Sequence, residues 1–194
     1  MGSSPLFQAG LRIGLFSWIL LAIWAGRQEW LGRMPPSAIP ALVLTLTTLL
    51  FMAYRRITAL REWLDQIDLR WILALHLTRF VGFYFIWLHH RGLMPEAFAI
   101  PVGIGDIVTA ALAGLIIMLP LAPATRLRAI TIWNMIGMMD MIFVLLTAAR
   151  LALSHAPGMQ VMTYLPLSLL PTFLVPLIIA SHLVIFVRLA KPRT

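Results

Sequence analysis

An arginine lies near the middle of an apolar run that has the length of a membrane helix. Residues 71–90 read WILALHLTRFVGFYFIWLHH, with Arg79 near the centre and His76 almost one helical turn before it. An arginine in the centre of a hydrocarbon layer costs about 3 kcal/mol or more on insertion scales. Any fold that places this run in a membrane must therefore bring another polar group to Arg79.

The composition places the whole chain in that setting. Hydrophobic residues make up 61% of the 194 residues and charged residues only 11%, which is far from the balance of a soluble domain. The net charge of +8 is scattered at the ends of apolar runs and forms no continuous patch, so we expect no nucleic-acid partner. There is no cysteine, which excludes disulfides, thiolate metal sites and cysteine nucleophiles. The expected surroundings are a lipid bilayer.

Apolar segments recur along the chain and predict an all-α polytopic membrane protein. We expect one transmembrane domain over residues 1–194, a bundle of six membrane helices. The predicted helices cover residues 7–25, 37–54, 71–89, 98–121, 129–149 and 165–189. Pro171 and Pro176 lie inside the last of these and predict a kink there.

Residues 57–69 have a different pattern. Leu60, Trp63 and Leu64 recur at helical spacing on one face, while Arg61 and Asp65 form an i,i+4 pair on another. This pattern predicts a short helix that lies on the membrane surface.

The basic residues set the predicted orientation, because cytoplasmic loops carry an excess of lysine and arginine. Ten of them fall on one side of the six helices: Arg12, Arg55, Arg56, Arg61, Arg70, Arg126, Arg128, Arg188, Lys191 and Arg193. Four fall on the other side: Arg27, Arg33, Arg91 and Arg150. The count predicts that both termini are cytoplasmic. Because the basic residues are almost all arginine, which we attribute to genome composition, we expect a multi-pass protein of a bacterial cytoplasmic (inner) membrane.

Counting residues along the helices predicts two polar layers within the membrane. At about 1.5 Å per residue across a layer of about 30 Å, Arg79, Asp106 and Asp140 reach the middle. A second layer, nearer the cytoplasm, holds three further residues: His76, Asn134 and His182. Small residues near Asp106 and Asp140 allow close helix contact there.

The central charges are open to two interpretations. As a buried ion pair they fix the order of the helices, and the protein is a structural or accessory membrane subunit. As a binding site, one arginine against two aspartates leaves an excess carboxyl that can carry a proton. The second interpretation predicts a small transporter or ligand-binding protein for a polar or ionic solute. Six short helices leave little room for a transport path, so we expect a homo-oligomer or a partner membrane subunit.

The two histidines within the membrane predict a different site. His76 and His182 lie on different helices at a similar depth, where two imidazoles can ligate the iron of haem b from opposite sides.

At the outer surface, adjacent helical residues such as His89 and His90 point about 100° apart and cannot both bind one metal ion. We therefore predict no metal site there.

A third alternative comes from the residues Gly103, Ile104, Gly105 and Asp106. They resemble the GxGD motif of intramembrane aspartyl proteases and prepilin peptidases. The resemblance implies a hydrolase with Asp106 and Asp140 as its two carboxyls. In presenilin-like members the other aspartate lies on the preceding helix, whereas Asp140 follows the motif. Whether the chain is an enzyme stays open at this point.

Overall fold

The computed structural model describes residues 5–191, and these residues are helical with no strand among them; helix makes up 84% of the structure. Nine α-helices follow one another within the described part of the chain. They are α1 (Pro5–Arg27), α2 (Trp30–Arg33), α3 (Ala38–Arg56), α4 (Thr58–Gln66), α5 (Leu69–Leu75), α6 (Gly82–His90), α7 (Glu96–Met118), α8 (Pro123–Leu153) and α9 (Val175–Ala190). The prediction of an all-α chain is confirmed.

Six stretches of the described residues are long and apolar enough to cross a membrane. They are Pro5–Arg27, Ala38–Arg56, Leu69–His90, Glu96–Met118, Pro123–Leu153 and Leu170–Ala190. The number agrees with the prediction, but α8 begins six residues earlier and ends four later than residues 129–149. The six extra residues at its start form a polar, basic segment that begins with Pro123, and proline favours the first helical turn.

Two of the six stretches depart from regular α-helix. His76–Val81 forms a 3₁₀ segment between α5 and α6, where the Thr78 hydroxyl donates to the carbonyl of Leu75 at 2.7 Å. Leu170–Leu174 forms a π-helical turn before α9, so the predicted sixth helix begins five residues later than residue 165. Pro171 lies in this turn and Pro176 lies just after it. Prolines remove backbone donors, which accounts for the irregular start of the helix.

The described residues form two compact units. The first holds residues 5–67 and 160–180, and the second holds residues 68–159 and 181–191. The prediction of one transmembrane domain over residues 1–194 stays a prediction, and residues 1–4 and 192–194 lie outside the described part of the chain.

The first unit contains α1 to α4 and the π-helical turn. The Trp18 indole on α1 donates to the carbonyl of Thr172 at 3.0 Å and packs edge-on against Phe173. The Tyr54 hydroxyl donates to Asp65 at 3.0 Å and so joins α3 to α4. No residue of α4 is buried, and its apolar face, with Trp63, is only half-buried. An amphipathic helix is therefore present within residues 57–69, and its place on a membrane surface stays a prediction.

The second unit contains α5 to α8 and the C-terminal part of α9. The backbones of α6 and α7 come together at Gly82 and Gly103: a Cβ on Gly103 would lie 2.8 Å from the carbonyl oxygen of Gly82. A Cβ on Gly82 would clash with the carbonyl oxygen of Gly103. Phe85 and Phe98 pack edge-on beside this crossing, with ring centres 5.5 Å apart. Glycine at both positions permits the approach that brings Arg79 to the neighbouring helices.

A methyl group at this crossing should destabilise the protein. We expect Gly82→Ala to lower the free energy of unfolding by about 1–3 kcal/mol, because the contacted atom belongs to a backbone that cannot rotate away. The measurement is the midpoint of denaturant-induced unfolding in detergent micelles. Gly14→Ala is the matched control, since a Cβ at Gly14 meets nothing within 4 Å. Equal losses in the two variants would contradict the close crossing.

Candidate functional site

Arg79 lies in the 3₁₀ segment and is the centre of a buried ion-pair cluster. Its side chain is 1% exposed. Nε donates to Asp106 on α7 at 2.7 Å, Nη2 donates to Asp140 on α8, and Nη1 donates to the carbonyl of Gly137 at 3.4 Å. The sequence predicted that Arg79 pairs with one or both aspartates, and the buried salt bridge is confirmed with both.

The two carboxylates of this cluster differ in accessibility. The side chain of Asp106 is 6% exposed and that of Asp140 is 15% exposed. One guanidinium faces two carboxylates, so the formal charge of the cluster is negative when both are ionised. An unbalanced charge in a low dielectric is unfavourable. The cluster is therefore a place where one added positive charge is stabilised, and Asp140 is its more open side.

Glycines make room for the cluster. A Cβ on Gly105 would clash with Oδ1 of Asp140, and Gly103 forms the crossing with α6. Both glycines of the Gly103–Ile104–Gly105–Asp106 motif thus have a packing function, the first towards a backbone and the second towards a carboxylate. The resemblance to the GxGD motif is accounted for by these contacts.

The second predicted layer is also brought together, around His182. Nδ1 of His182 lies 2.7 Å from Oδ1 of Asn134, and the Asn134 amide donates to the His182 carbonyl at 3.2 Å. The amide orientation makes Oδ1 an acceptor, so the His182 proton lies on Nδ1 and Nε2 keeps a lone pair. Asn134 therefore fixes the tautomer of His182.

His76 completes this group. Its Nε2 lies 2.9 Å from the Ser181 hydroxyl, its ring centre lies 4.4 Å from that of His182, and Trp133 packs edge-on at 4.7 Å. His76, Asn134 and His182 are all fully buried. Nδ1 of His76 and Nε2 of His182 are buried without a hydrogen-bond partner. Two imidazoles thus each keep one ring nitrogen free for a proton or a water molecule.

The sequence places the charged layer and the histidine layer at different depths, but the structure joins them at Gly137. Its carbonyl accepts from Arg79, and a Cβ on its Cα would lie 2.6 Å from Cε1 and 3.0 Å from Nε2 of His182. The imidazole packs directly on the backbone that contacts the guanidinium. The two layers are therefore one continuous polar site in the second unit.

This geometry does not fit a haem held between His76 and His182. Two histidines that ligate one haem iron lie on opposite faces of the porphyrin, each nitrogen about 2 Å from the metal, so the ring centres lie roughly 6 Å apart. The observed distance of 4.4 Å between the ring centres leaves no space for a porphyrin between the rings.

The hydrolase alternative needs two carboxyls that share a proton. Asp106 and Asp140 share a guanidinium instead.

Three residues of the site, Ser181, Trp133 and Thr109, are not singled out by the sequence. Ser181 contacts His76, Trp133 packs on both imidazoles, and the Trp133 indole donates to the carbonyl of Thr109 at 2.9 Å. Ser181 and Trp133 each stand next to a predicted residue in the sequence, but adjacent helical residues point in different directions, so no spacing rule finds them.

Comparison with known proteins gives a family for most of the chain. Residues 36–190 match the profile of a family described as a domain of unknown function, DUF8737. The chain belongs to the DUF8737 family. The DUF8737 match begins just before α3 and contains every residue of the site, whereas α1 lies outside it. No curated protein and no solved structure matches the chain.

Removing the arginine alone should be costly. We expect Arg79→Leu to lower the free energy of unfolding by about 3–5 kcal/mol, because two buried carboxylates lose their partner. The triple variant Arg79→Leu, Asp106→Asn, Asp140→Asn should recover most of the loss, since no charge then stays unpaired. The measurement is the unfolding midpoint in detergent micelles.

Arg70→Leu is the matched control. Arg70 pairs with Asp68 at 2.7 Å, but both side chains are almost half exposed, so little change is expected. A triple variant that is no more stable than Arg79→Leu alone would contradict the energetic role of the cluster.

Proposed function

We propose that the chain is a multi-pass protein of a bacterial cytoplasmic membrane that crosses the lipid bilayer six times with both termini in the cytoplasm. The six apolar stretches support this, together with the ten-to-four excess of basic residues on one side. Arg193, which contributes to that count, lies outside the described residues, and nine against four gives the same orientation.

Labelling of single cysteines tests the orientation, since the chain has none of its own. We expect a membrane-impermeant thiol reagent added outside cells to label Leu93→Cys and Ser154→Cys, and to leave Glu62→Cys and Ala124→Cys unlabelled until the membrane is opened. These exposed positions avoid Gly92 and Gly158, whose φ angles of 71° and 87° disfavour other residues. The reverse pattern would contradict the proposed topology.

For the function itself, we infer that the Arg79 cluster is a proton-linked binding site for a small cationic solute, in a transporter or ligand-binding protein. One observation carries this proposal: a buried guanidinium holds two carboxylates inside an apolar span, at the point where the helix becomes a 3₁₀ segment. Ion-coupled transporters place their sites at interruptions of membrane helices, and 3₁₀ segments within helices often mark hinges.

The charge of the cluster selects the ligand class. With both carboxylates ionised the cluster has one negative charge in excess, and a single proton or monovalent cation neutralises it. A second cation would restore an unbalanced charge in a low dielectric. Proton and cationic solute therefore compete for the one excess negative charge of the cluster. Such competition is the basic requirement for exchanging one for the other across a membrane.

The histidine group offers a way for the proton to reach the cluster. Nε2 of His182 has a free lone pair and packs on Gly137, the residue that contacts Arg79. Nδ1 of His76 is a second buried site without a partner in the adjoining ring. By the proposed topology both histidines lie on the cytoplasmic side of Arg79.

We also propose a homo-oligomer or a partner membrane subunit. The large apolar side chains of α1 are exposed, including Ile13 and Phe16, and a Cβ on Gly10 or Gly14 meets nothing within 4 Å. Such an open helix is available to lipid or to another membrane helix.

The second candidate is a structural or accessory subunit. It is favoured by the hydrogen bonding of Arg79, in which all three guanidinium nitrogens already donate within the protein. In that case the cluster only fixes the order of the 3₁₀ segment, α7 and α8.

Proton movement in proteoliposomes distinguishes the two candidates. We expect a gradient of Na⁺, K⁺ or a small alkylamine to drive a pH change, reported by an enclosed dye, in wild-type vesicles. Asp140→Asn and Asp106→Asn should each abolish the response. Either variant leaves one carboxylate against Arg79, so the cluster has no excess negative charge to hold a proton or a cation. Glu62→Gln, an exposed carboxyl on α4, is the matched control and should behave as wild type. Wild-type vesicles with no response to any cation would leave the structural role.

A further inference from the structure

Asp140 lies on the boundary between a buried and an exposed face of α8. The residues three before and four after it, Gly137 and Val144, are buried. The residues four before and three after it, Ile136 and Phe143, are exposed. Residues at these spacings are neighbours on a helix surface, so Asp140 stands at the edge of the packed face. Its carboxylate is therefore accessible from outside the second unit.

Gly105 has the matching position on α7. There too the residues three before and four after it are buried, and the residues four before and three after it are exposed. Oδ1 of Asp140 lies against the Gly105 backbone, where a Cβ would clash with it. Because glycine has no side chain, α7 does not cover the carboxylate at this position. Gly105 and Asp140 together form an opening at the edge of the α7–α8 contact.

The carboxylate of Asp140 keeps acceptor capacity at this opening. The hydrogen bond from Nη2 of Arg79 reaches Oδ2, whereas an ionised carboxylate has about four lone-pair sites. The side chain is 15% exposed, in a helix apolar enough to span a membrane. Lipid supplies no hydrogen-bond donor to the remaining lone pairs. A ligand with an N–H donor is therefore stabilised at the opening.

The surface around the opening is apolar. Four exposed side chains, about one turn before and after Gly105 and Asp140, form what we call the apolar rim: Pro101, Val108, Ile136 and Phe143. An inorganic ion must lose its hydration shell to enter such surroundings and gains no polar contact from them. A hydrocarbon group, in contrast, is stable there. The rim favours an amphiphile over an inorganic ion.

We propose that the opening at Asp140 binds a hydrophobic amine that enters from the lipid phase. The nitrogen lies on the Asp140 carboxylate, and the hydrocarbon part lies along the apolar rim. The assignment rests on the proposed function of the Arg79 cluster and names the class of its cationic solute.

An amine also fits the charge of the cluster. It crosses lipid as the neutral base, and at the site one proton moves from the protonated carboxyl to the lone pair of the nitrogen. The products are a carboxylate and an ammonium group, joined by a charge-assisted hydrogen bond. The single excess negative charge beside Arg79 is then neutralised by the ammonium group, as it was by the proton.

Protection of Asp140 from a carboxyl reagent tests this assignment in the full chain, reconstituted in phosphatidylcholine vesicles. Dicyclohexylcarbodiimide dissolves in lipid and adds to protonated carboxyls, and peptide mass spectrometry identifies the labelled residue. We expect it to label Asp140 and N,N-dimethyloctylamine to prevent the labelling. N,N-dimethyloctanamide, which has a similar shape but no basic nitrogen, should not protect, and neither should Na⁺ or K⁺. A water-soluble carbodiimide should label the exposed Glu62 and not Asp140.

Chain length separates entry from lipid and entry from water. From dimethylbutylamine to dimethyloctylamine, the concentration that gives half-protection should fall about fourfold for each added CH₂, as for a ligand that first partitions into the bilayer. Val108→Trp places a bulky side chain at the opening and should raise that concentration about tenfold. Leu115→Trp is the matched control, since Leu115 is an exposed residue of α7 ten positions from Gly105.

Several results would overturn the assignment. They are no labelling of Asp140 by the lipid-soluble reagent, equal protection by the amine and the amide, protection independent of chain length, and equal effects of Val108→Trp and Leu115→Trp. Protection and proton flux with Na⁺ or K⁺ but not with the amine would refute the hydrophobic amine and leave the proposed function standing. Neither protection nor proton flux with any cation would refute both, so the two failures are distinguishable.

Discussion

A guanidinium that must stay charged in an apolar span is the constraint on which the second unit depends. Arg79 is received by one carboxylate from α7, one carboxylate from α8 and one backbone carbonyl, so its hydrogen bonds define which helices are neighbours. The glycines at the α6–α7 crossing and beside Asp140 serve the same requirement. Because they have no side chain, the helices can approach closely enough for their polar groups to reach Arg79. The 3₁₀ segment places Arg79 where the spans are least regular.

Much of this arrangement follows from the sequence. Apolar length and period predict six spans and the surface helix, because the cost of an unsatisfied backbone in lipid leaves few alternatives to helix. Charge balance predicts the pairing of Arg79 with Asp106 and Asp140, and depth predicts that His76, Asn134 and His182 meet. These inferences need only one-dimensional quantities, namely residue count and charge.

The sequence does not predict how far each helix is rotated about its own axis, or where the chain departs locally from α-helix. The 3₁₀ segment at His76–Val81 and the π-helical turn at Leu170–Leu174 shift the facing of every later residue, and no periodicity marks them. For this reason the sequence does not indicate Ser181 and Trp133, and it predicts two separate polar layers where the structure has one site. The haem alternative has the same origin: residue counts place His76 and His182 at a similar level, but the distance between the imidazoles depends on helix packing, and the rings lie too close for a porphyrin. The roles of the site residues in binding stay proposals.

Gly137 connects the charged and imidazole groups through a single peptide unit, with Arg79 on its carbonyl and His182 against its Cα. Side chains elsewhere in a protein can usually diverge one at a time, but here neither group can be remodelled while the other keeps its geometry. A side chain larger than histidine at position 182 would press on α8 at Gly137 and disturb the hydrogen bond that Arg79 makes there. A change in the shape of one group is therefore transmitted to the other through the backbone of Gly137.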